Sequence, residues 1–349
     1  MVPPSAAPTN SLPNTTREVT PMEHEILLRL RGAKKEQWAA FLRRMELDAD
    51  ENTERTVLLW EDDDLIACGS RMGNLLKCIA VDPAHQGEGL TATLLTLLRQ
   101  DAFAAGHDHL FLYTKPKNEA MFAGLFFYPV AKTGDVLLME NRKNGIGSFL
   151  DSLAVPETEG VTGAIVMHCN PFTRGHRYLV ETAAAQCDRL LLFVLSEEGG
   201  PFPAAHRLAL VKQGTADLPK VTVLPTGPYL ISSATFPTYF LKDKTRLETI
   251  QCELDAAVFT RHFAPRFSIT RRFVGTEPLC AVTDNYNRAL QQCLPPMGVE
   301  VTEIPRLEAD GEPISASRVR ALLGQNRPED VKALVPDTTF RYLQEQGLL

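Results

Sequence analysis

His168-Cys169-Asn170-Pro171-Phe172-Thr173-Arg174-Gly175-His176-Arg177 joins two segments of different period. Before it runs an apolar stretch, 161–167, of strand length; after it, 175–187 repeats at helical spacing. The junction reads as strand, loop, helix. Thr173 and His176 put a hydroxyl and an imidazole on one turn, and Gly175 between them permits close backbone approach by a ligand. A helix start adds free N–H groups and the positive end of its dipole. The combination suits a polyphosphate. The imidazole can donate to an oxygen that gains charge as pyrophosphate leaves.

Outward from this loop the pattern alternates. Strand 189–195 precedes a helix from 203 to 215, strand 221–224 precedes helix 244–263, strand 267–274 precedes helix 283–294, and strand 299–304 leads to further helical segments. Strands alternating with helices predict a parallel, doubly wound sheet, which binds ligands at the carboxyl ends of its strands. The first half differs. An extended run, 26–30, precedes a helical stretch with Trp38, Phe41, Leu42 and Met45 on one face; 56–60 and 65–70 flank an acidic turn and read as a hairpin; 75–81 is a strand stopped by Asp82-Pro83. Helix 89–105, strand 109–114, helix 118–124 and strand 135–140 complete an α+β unit. The polar stretch 141–147 reads as a linker. The expected organisation is a disordered tail over 1–22, an α+β domain over 23–143 and an α/β domain over 144–349.

Composition fits a globular protein: 349 residues, 44% apolar, 23% charged, with 36 Lys and Arg against 43 Asp and Glu for a net charge of −7. That balance argues against a nucleic-acid partner. No apolar run reaches membrane-spanning length, and residues 1–22 lack the basic start and apolar centre of a secretory signal. The cysteines, Cys68, Cys78, Cys169, Cys187, Cys252, Cys280 and Cys293, form no C-x-x-C pair, which predicts free thiols in a reducing cytoplasm and no zinc site.

A second candidate segment is Ile314-Ser315-Ala316-Ser317-Arg318-Val319-Arg320. Hydroxyls at a helix start cap it or bind phosphate, and an arginine one turn in adds a bidentate contact. Arg207, near a helix start after a strand, and Gly275-Thr276-Glu277-Pro278, after strand 267–274, have the right surroundings for nucleotide or substrate contacts. His168 stands where the first loop would face a nucleotide. In the first half, Asp82-Pro83-Ala84-His85-Gln86-Gly87-Glu88-Gly89-Leu90-Thr91 joins a strand to an amphipathic helix, and Asn118-Glu119-Ala120 follows the next strand.

The Thr173–His176 segment resembles the (His/Thr)-x-Gly-His signature of the nucleotidyltransferase superfamily, with Asn170-Pro171 matching the approach to it. Residues 314–320 resemble that superfamily's second signature, with Ser317 where threonine is common and Arg320 as the motif arginine. Gln86, Gly87 and Gly89 resemble the loop with which the GNAT acyltransferase fold cradles the pyrophosphate of coenzyme A. Thr91 replaces the usual small residue there. Asn118 falls in the fold's next motif, and Phe122 stands where many members carry a tyrosine acid. Taken in order, with Ser232–Lys242 and 275–278 between them, these motifs resemble the citrate lyase ligase family from about residue 25 onward.

The resemblance implies a GNAT-like domain ahead of a Rossmann-like nucleotidyltransferase domain. It implies ATP, with Mg2+ accompanying the nucleotide, and a cytoplasmic enzyme that activates acetate as acetyl adenylate. The acetyl group would pass to the thiol of a dephospho-coenzyme-A-type group on the acyl carrier subunit of citrate lyase. In site terms it implies catalytic roles for His176, Thr173 and Arg320. Nucleotide contacts fall to His168, Asn170, Pro171, Gly175, Arg207, Gly275, Glu277, Ser315 and Ser317. Contacts to the coenzyme-A-like group fall to Gln86, Gly87, Gly89, Thr91 and Asn118. Two other readings stand beside it: a phosphate adenylyltransferase of coenzyme A or NAD type, and a non-catalytic acyl-CoA-binding regulator.

Overall fold

Pro129 marks the first difference between pattern and structure. The computed structural model describes residues 23–198, 200–230, 236–277 and 281–349. In the first half β1 (Glu23–Leu28), α1 (Gly32–Arg44), β2 (Arg55–Glu61), β3 (Asp64–Met72), β4 (Leu75–Val81), α2 (Leu90–Ala104), β5 (Phe111–Thr114), α3 (Glu119–Ala123), β6 (Tyr128–Lys132) and β7 (Leu137–Glu140) follow in order. They build one sheet of order β1-β2-β3-β4-β5-β7-β6. The sequence pattern passes over β6, because Pro129 lacks a ladder donor. It is tolerated because β6 is the edge strand. The β2–β3 hairpin turns at Glu61↔Asp64, where Asp62 takes a left-handed φ of 52°. β4 and β5 are parallel and pair only at Leu75↔Phe111 and Leu76↔Leu112, so they part toward their carboxyl ends.

In the second half α4 (Gly145–Ser152), β8 (Thr162–Met167), α5 (Arg174–Ala184), β9 (Arg189–Val194), α6 (Ala204–Gly214), β10 (Val221–Pro225), α7 (Leu247–Val258), α8 (Ala264–Phe267), β11 (Ile269–Gly275), α9 (Ala281–Cys293) and β12 (Glu300–Ile304) follow. A small hairpin of β13 (Glu308–Ala309) and β14 (Glu312–Pro313) leads to α10 (Ala316–Gly324), α11 (Pro328–Leu334) and α12 (Asp337–Glu345). The sheet is parallel throughout, in the order β10-β9-β8-β11-β12. The winding reverses between β8 and β11, and that switch point opens the crevice where such sheets take ligands. The expected single helix over 244–263 is instead a 3-10 turn, α7 and a π turn at Phe259–Phe263. The wider turn brings residues four apart close to one line, so Phe259 and Phe263 stack in the core with ring centroids 6.2 Å apart.

The stretch 141–147 is not a free linker. Asn141 accepts from the Leu110 N–H at 2.8 Å and donates to the Asp108 carbonyl at 3.0 Å. Gly145 opens α4 against the Glu140 carboxylate, where a Cβ would collide. Glu140 is 2% exposed and accepts from Tyr229 Oη at 2.8 Å, His109 Nε2 at 2.6 Å and the Ile146 N–H at 3.0 Å. Its partners come from both halves. One apolar core likewise runs through both, joining Phe111, Tyr113 and Leu138 to Phe193, Tyr229 and Phe259. Cys68, Cys78, Cys169, Cys187 and Cys252 are buried free thiols. Among the described residues no helix is long and apolar enough to cross a membrane. Residues 1–22, Ser232–Thr235 and Pro278 of the motifs above, and Cys280, lie outside the described residues.

Candidate active site

The loop after β8 ends on a reciprocal cap. Thr173 is the N-cap of α5: its Oγ1 accepts from the His176 N–H at 3.2 Å, and the Thr173 N–H donates to His176 Nδ1 at 3.1 Å. This is a capping box with histidine in the place usual for glutamate or glutamine. With Nδ1 committed as acceptor, the neutral ring carries its proton on Nε2. Burial, then the charge of Arg306, then His168, push the His176 pKa down to about 3. The ring is therefore a neutral Nε2–H donor. Phe172 stacks on it at 5.9 Å and 11°. The first-turn amides of Arg174 and Gly175 have no helical carbonyl to serve and add to the positive helix end.

Gly175 has a different role from the one its pattern suggests. A Cβ there would come within 2.5 Å of the Ile314 carbonyl. The close approach is made by the chain entering α10, not left for a ligand. The two signature segments thus meet at the backbone. Arg320 joins them again, donating from Nη1 to the Asn170 carbonyl at 2.5 Å and from Nη2 to Ser317 Oγ at 3.0 Å. Ser315 is the N-cap of α10 and accepts from the Arg318 N–H at 3.1 Å. Arg318 turns the other way: it donates to the Ala309 carbonyl at 3.0 Å and lies 3.6 Å and 3.5 Å from Asp310 and Glu312 on the β13–β14 hairpin.

Arg207 needs correcting as a nucleotide contact. It is fully buried, and its guanidinium donates to four carbonyls: Phe202 at 3.1 Å, His168 at 2.8 Å, Leu195 at 2.9 Å and Glu197 at 2.5 Å. It clamps the loops after β8 and β9 with four of its five N–H donors, and its burial keeps it among those carbonyls. Glu277 is 9% exposed on its side chain and ion-paired with Arg306, whose Nε donates to the Thr276 carbonyl at 2.6 Å. Gly275 ends β11, its carbonyl taking the Asn287 amide at 2.8 Å. Arg306 was not singled out from the sequence. The available signal was its place two residues past strand 299–304, at the same sheet end as the other site loops.

His168 and Asn170, in the loop between β8 and α5, are incompletely satisfied. His168 Nε2 and Asn170 Oδ1 are buried without a hydrogen-bond partner among the described residues. His168 lies 3.8 Å from Glu197, and burial together with Arg207 and Arg320 lowers its pKa despite that carboxylate. Pro171 follows in the same loop. The cluster of a neutral imidazole donor, a helix N-terminus, Arg320 and Arg306 at the switch point suits a nucleoside triphosphate. Among the described residues no three His, Cys, Asp or Glu side chains gather as a metal cage.

The first half holds a cleft of about 1060 Å³ where β4 and β5 part. Gln86, Gly87, Gly89, Thr91 and Asn118 all line it. Gly87 and Gly89 take φ of 92° and 80°, the left-handed region, and Gly89 is the N-cap of α2. Asn118 donates to Thr114 Oγ1 at 2.8 Å. Phe122 is 4% exposed and packs edge-on to Phe127 at 6.4 Å, so this position offers the cleft no proton.

Residues 162–343 match the citrate lyase ligase C-terminal domain family, and residues 23–123 match the acetyltransferase (GNAT) family. The chain is 45% identical over 311 residues to the citrate (pro-3S)-lyase ligase of Klebsiella pneumoniae, covering 87% of this chain and 91% of that protein. It is 42% identical over 325 residues to that of Escherichia coli K12, covering 90% and 92%. A shorter likeness, 41% over 56 residues, is to the phosphopantetheine adenylyltransferase of Dehalococcoides mccartyi; it covers 16% of this chain and 35% of that protein. Likeness that runs through both halves and nearly the whole length of its relatives makes this chain a ligase of the citrate (pro-3S)-lyase ligase family.

Proposed function

We propose that the chain uses ATP to activate acetate and acetylates the thiol of a dephospho-coenzyme-A-type arm on the acyl carrier subunit of citrate lyase. An acetate oxygen attacks the α-phosphorus, the α–β bridging bond breaks, and pyrophosphate leaves with the bridging oxygen. The arm's sulfur then attacks the acetyl carbon. The S–C bond forms, the C–O bond to AMP breaks, and the thiol proton goes to solvent. The observation that carries the reading is the meeting of the two signature segments at the β8–β11 switch point, with Arg320 bonded to Asn170 and the His176 Nε2–H left as donor. The neutral imidazole stabilises charge on the leaving pyrophosphate. Arg320, Ser317 and the α5 amides orient the triphosphate. Arg207 and Thr173 hold the loop and the ring in place. Magnesium would enter with the nucleotide, held by its phosphates and water, as Mg2+ usually is at triphosphate sites.

The first half is read as the arm-binding domain, residues 23–143, and the second, 144–349, as the catalytic one. A cleft of this volume suits a cofactor-length ligand, and the Gly87–Gly89 loop with the α2 N-terminus suits its pyrophosphate. Docking the arm raises its effective concentration near the anhydride. The test is pyrophosphate release from the full chain with ATP and magnesium, with acetate or with phosphopantetheine, followed by acetylation of the carrier. Acetate-dependent release and carrier acetylation are expected. Release that depends on phosphopantetheine would instead make the chain an adenylyltransferase.

A further inference from the structure

The glycine loop of the first-half cleft carries no lysine or arginine. From Asp82 to Thr91 its charged side chains are Asp82 and Glu88, and its histidine, His85, lies 3.2 Å from Glu88. To a phosphate the loop offers backbone amides and the N-terminus of α2, but no fixed positive charge. On the other side of the β4–β5 gap, β5 ends at Thr114 and the chain runs into Lys115-Pro116-Lys117. Both lysines line the same cleft. Pro116 opens a 3-10 turn over Pro116–Asn118, and Asn118 is tied back to Thr114 Oγ1 at 2.8 Å, so the lysines are carried on a stiff turn.

The other cations of this region are already paired. Arg44, on the cleft wall, meets Asp82 at 2.8 Å, and Lys132 meets Glu119 at 2.7 Å. The second half reaches the cleft through Tyr239 and Phe240, and Lys242 just beyond them meets Glu46 at 2.5 Å. Lys115 and Lys117 have no hydrogen bond or ion pair to any described residue. Lys115 is half-buried and Lys117 exposed. Burial, then the charges of Lys242 and Lys117, push the Lys115 pKa down, and only Glu46, already bonded to Lys242, pulls the other way. Three ammoniums thus share one carboxylate, in a chain whose net charge is −7. Like charges gathered without a counter-ion repel one another, and an anion entering the cleft relieves that repulsion.

We propose that Lys115 and Lys117 are a phosphate-binding pair of the cleft, supplying from the β5 side the positive charge that the glycine loop lacks. The loop amides orient phosphate oxygens of the arm, and the two ammoniums neutralise their charge. An ammonium is a compact point charge on a flexible stem, so the pair can follow the phosphates of an arm that enters and leaves.

This inference rests on the arm-binding reading of the cleft, and one set of titrations separates the two. Dephospho-coenzyme A is titrated calorimetrically into the full-length protein at low and at physiological salt, for wild type, Lys115→Gln, Lys117→Gln and Lys115→Arg. Lys115→Gln is expected to weaken binding about ten-fold, as loss of a charge-assisted contact does. Lys117→Gln, at a more exposed position, should weaken it about two- to five-fold. Both should flatten the salt dependence of binding. Lys115→Arg keeps the charge and should stay within about three-fold of wild type. Thermal midpoints of the glutamine variants should be unchanged or higher, because a repelling charge is gone; lysines that only support the fold would lower them and leave affinity alone. Glutamine variants that bind dephospho-coenzyme A as wild type does would overturn the assignment and leave the arm-binding reading standing. If their KM for the carrier rises all the same, the lysines meet acidic groups of the carrier protein, and the assignment to phosphate is equally overturned. If the wild-type chain does not bind dephospho-coenzyme A, the arm-binding reading itself falls and this proposal with it.

Discussion

The α-carbon of Gly175 lies so close to the Ile314 carbonyl that a Cβ would sit 2.5 Å from that oxygen. The first turn of α5 and the entry to α10 touch at this point. Gly175→Ala must push the two signature segments apart. Overpacking of this kind costs about 1–3 kcal/mol of stability, and a shift of about 1 Å at a catalytic constellation can cost about 10²-fold in rate. Urea midpoints and acetate-dependent pyrophosphate release, measured together, should both fall. A variant with unchanged turnover would mean that the contact is relieved without moving His176.

His176→Ala removes the Nε2–H donor. Loss of one such donor costs about 10²–10³ in rate, so pyrophosphate release should fall by that factor in a variant whose circular dichroism is native. Turnover within a few-fold of wild type would take the ring out of the chemistry.

The depressed pKa of His176 also makes a statement about stability. The folded value is about 3 against an ordinary 6.5. Between these values the unfolded chain binds a proton that the folded chain refuses, so stability is full above 6.5 and is lost as pH falls toward 3. His176→Gln keeps a capping-box side chain and removes this titration. Urea unfolding at pH 7 and pH 5 should show wild type losing about 2 kcal/mol more than the variant. Equal losses would show that the ring is solvated in the folded protein.

Arg320→Lys keeps a charge but cannot bridge Asn170 and Ser317 with one planar fork. ATP binding should weaken about ten-fold or more, in line with a lost charge-assisted bond. Arg318→Ala should be nearly silent toward ATP, since its guanidinium serves the β13–β14 hairpin. The opposite ranking in nucleotide titrations would reverse the register of the motif.

Arg207→Ala leaves four carbonyls without their donor in the loops that carry His168 and Glu197. The unfolding free energy should drop by about 3 kcal/mol or more. Arg207→Lys should rescue little, because an ammonium cannot reach the fork's directions. An unchanged urea midpoint with a raised KM for ATP would instead restore Arg207 to the nucleotide site.

Much of this protein is determined locally. The Thr173–His176 cap, the helix it starts, the strand–helix alternation from β8 to β12 and the glycine loop before α2 all depend on residues within a few positions of one another, so period and capping chemistry reveal them. Ser315 at the start of α10 was legible for the same reason. Three-dimensional packing decided the rest. Arg207 looks from its sequence position like a phosphate ligand, but burial commits it to four carbonyls. Gly175 looks like space for a ligand, but Ile314, far along the chain, occupies that space. Arg306 joins the site because β12 pairs with β11, a register no local signal records. Glu140 gathers partners from both halves, and Tyr239 closes a cleft whose other walls precede it by more than a hundred residues. Such contacts depend on which distant backbone atoms the topology brings within hydrogen-bond reach, and that is settled only when both sheets are folded on their shared core.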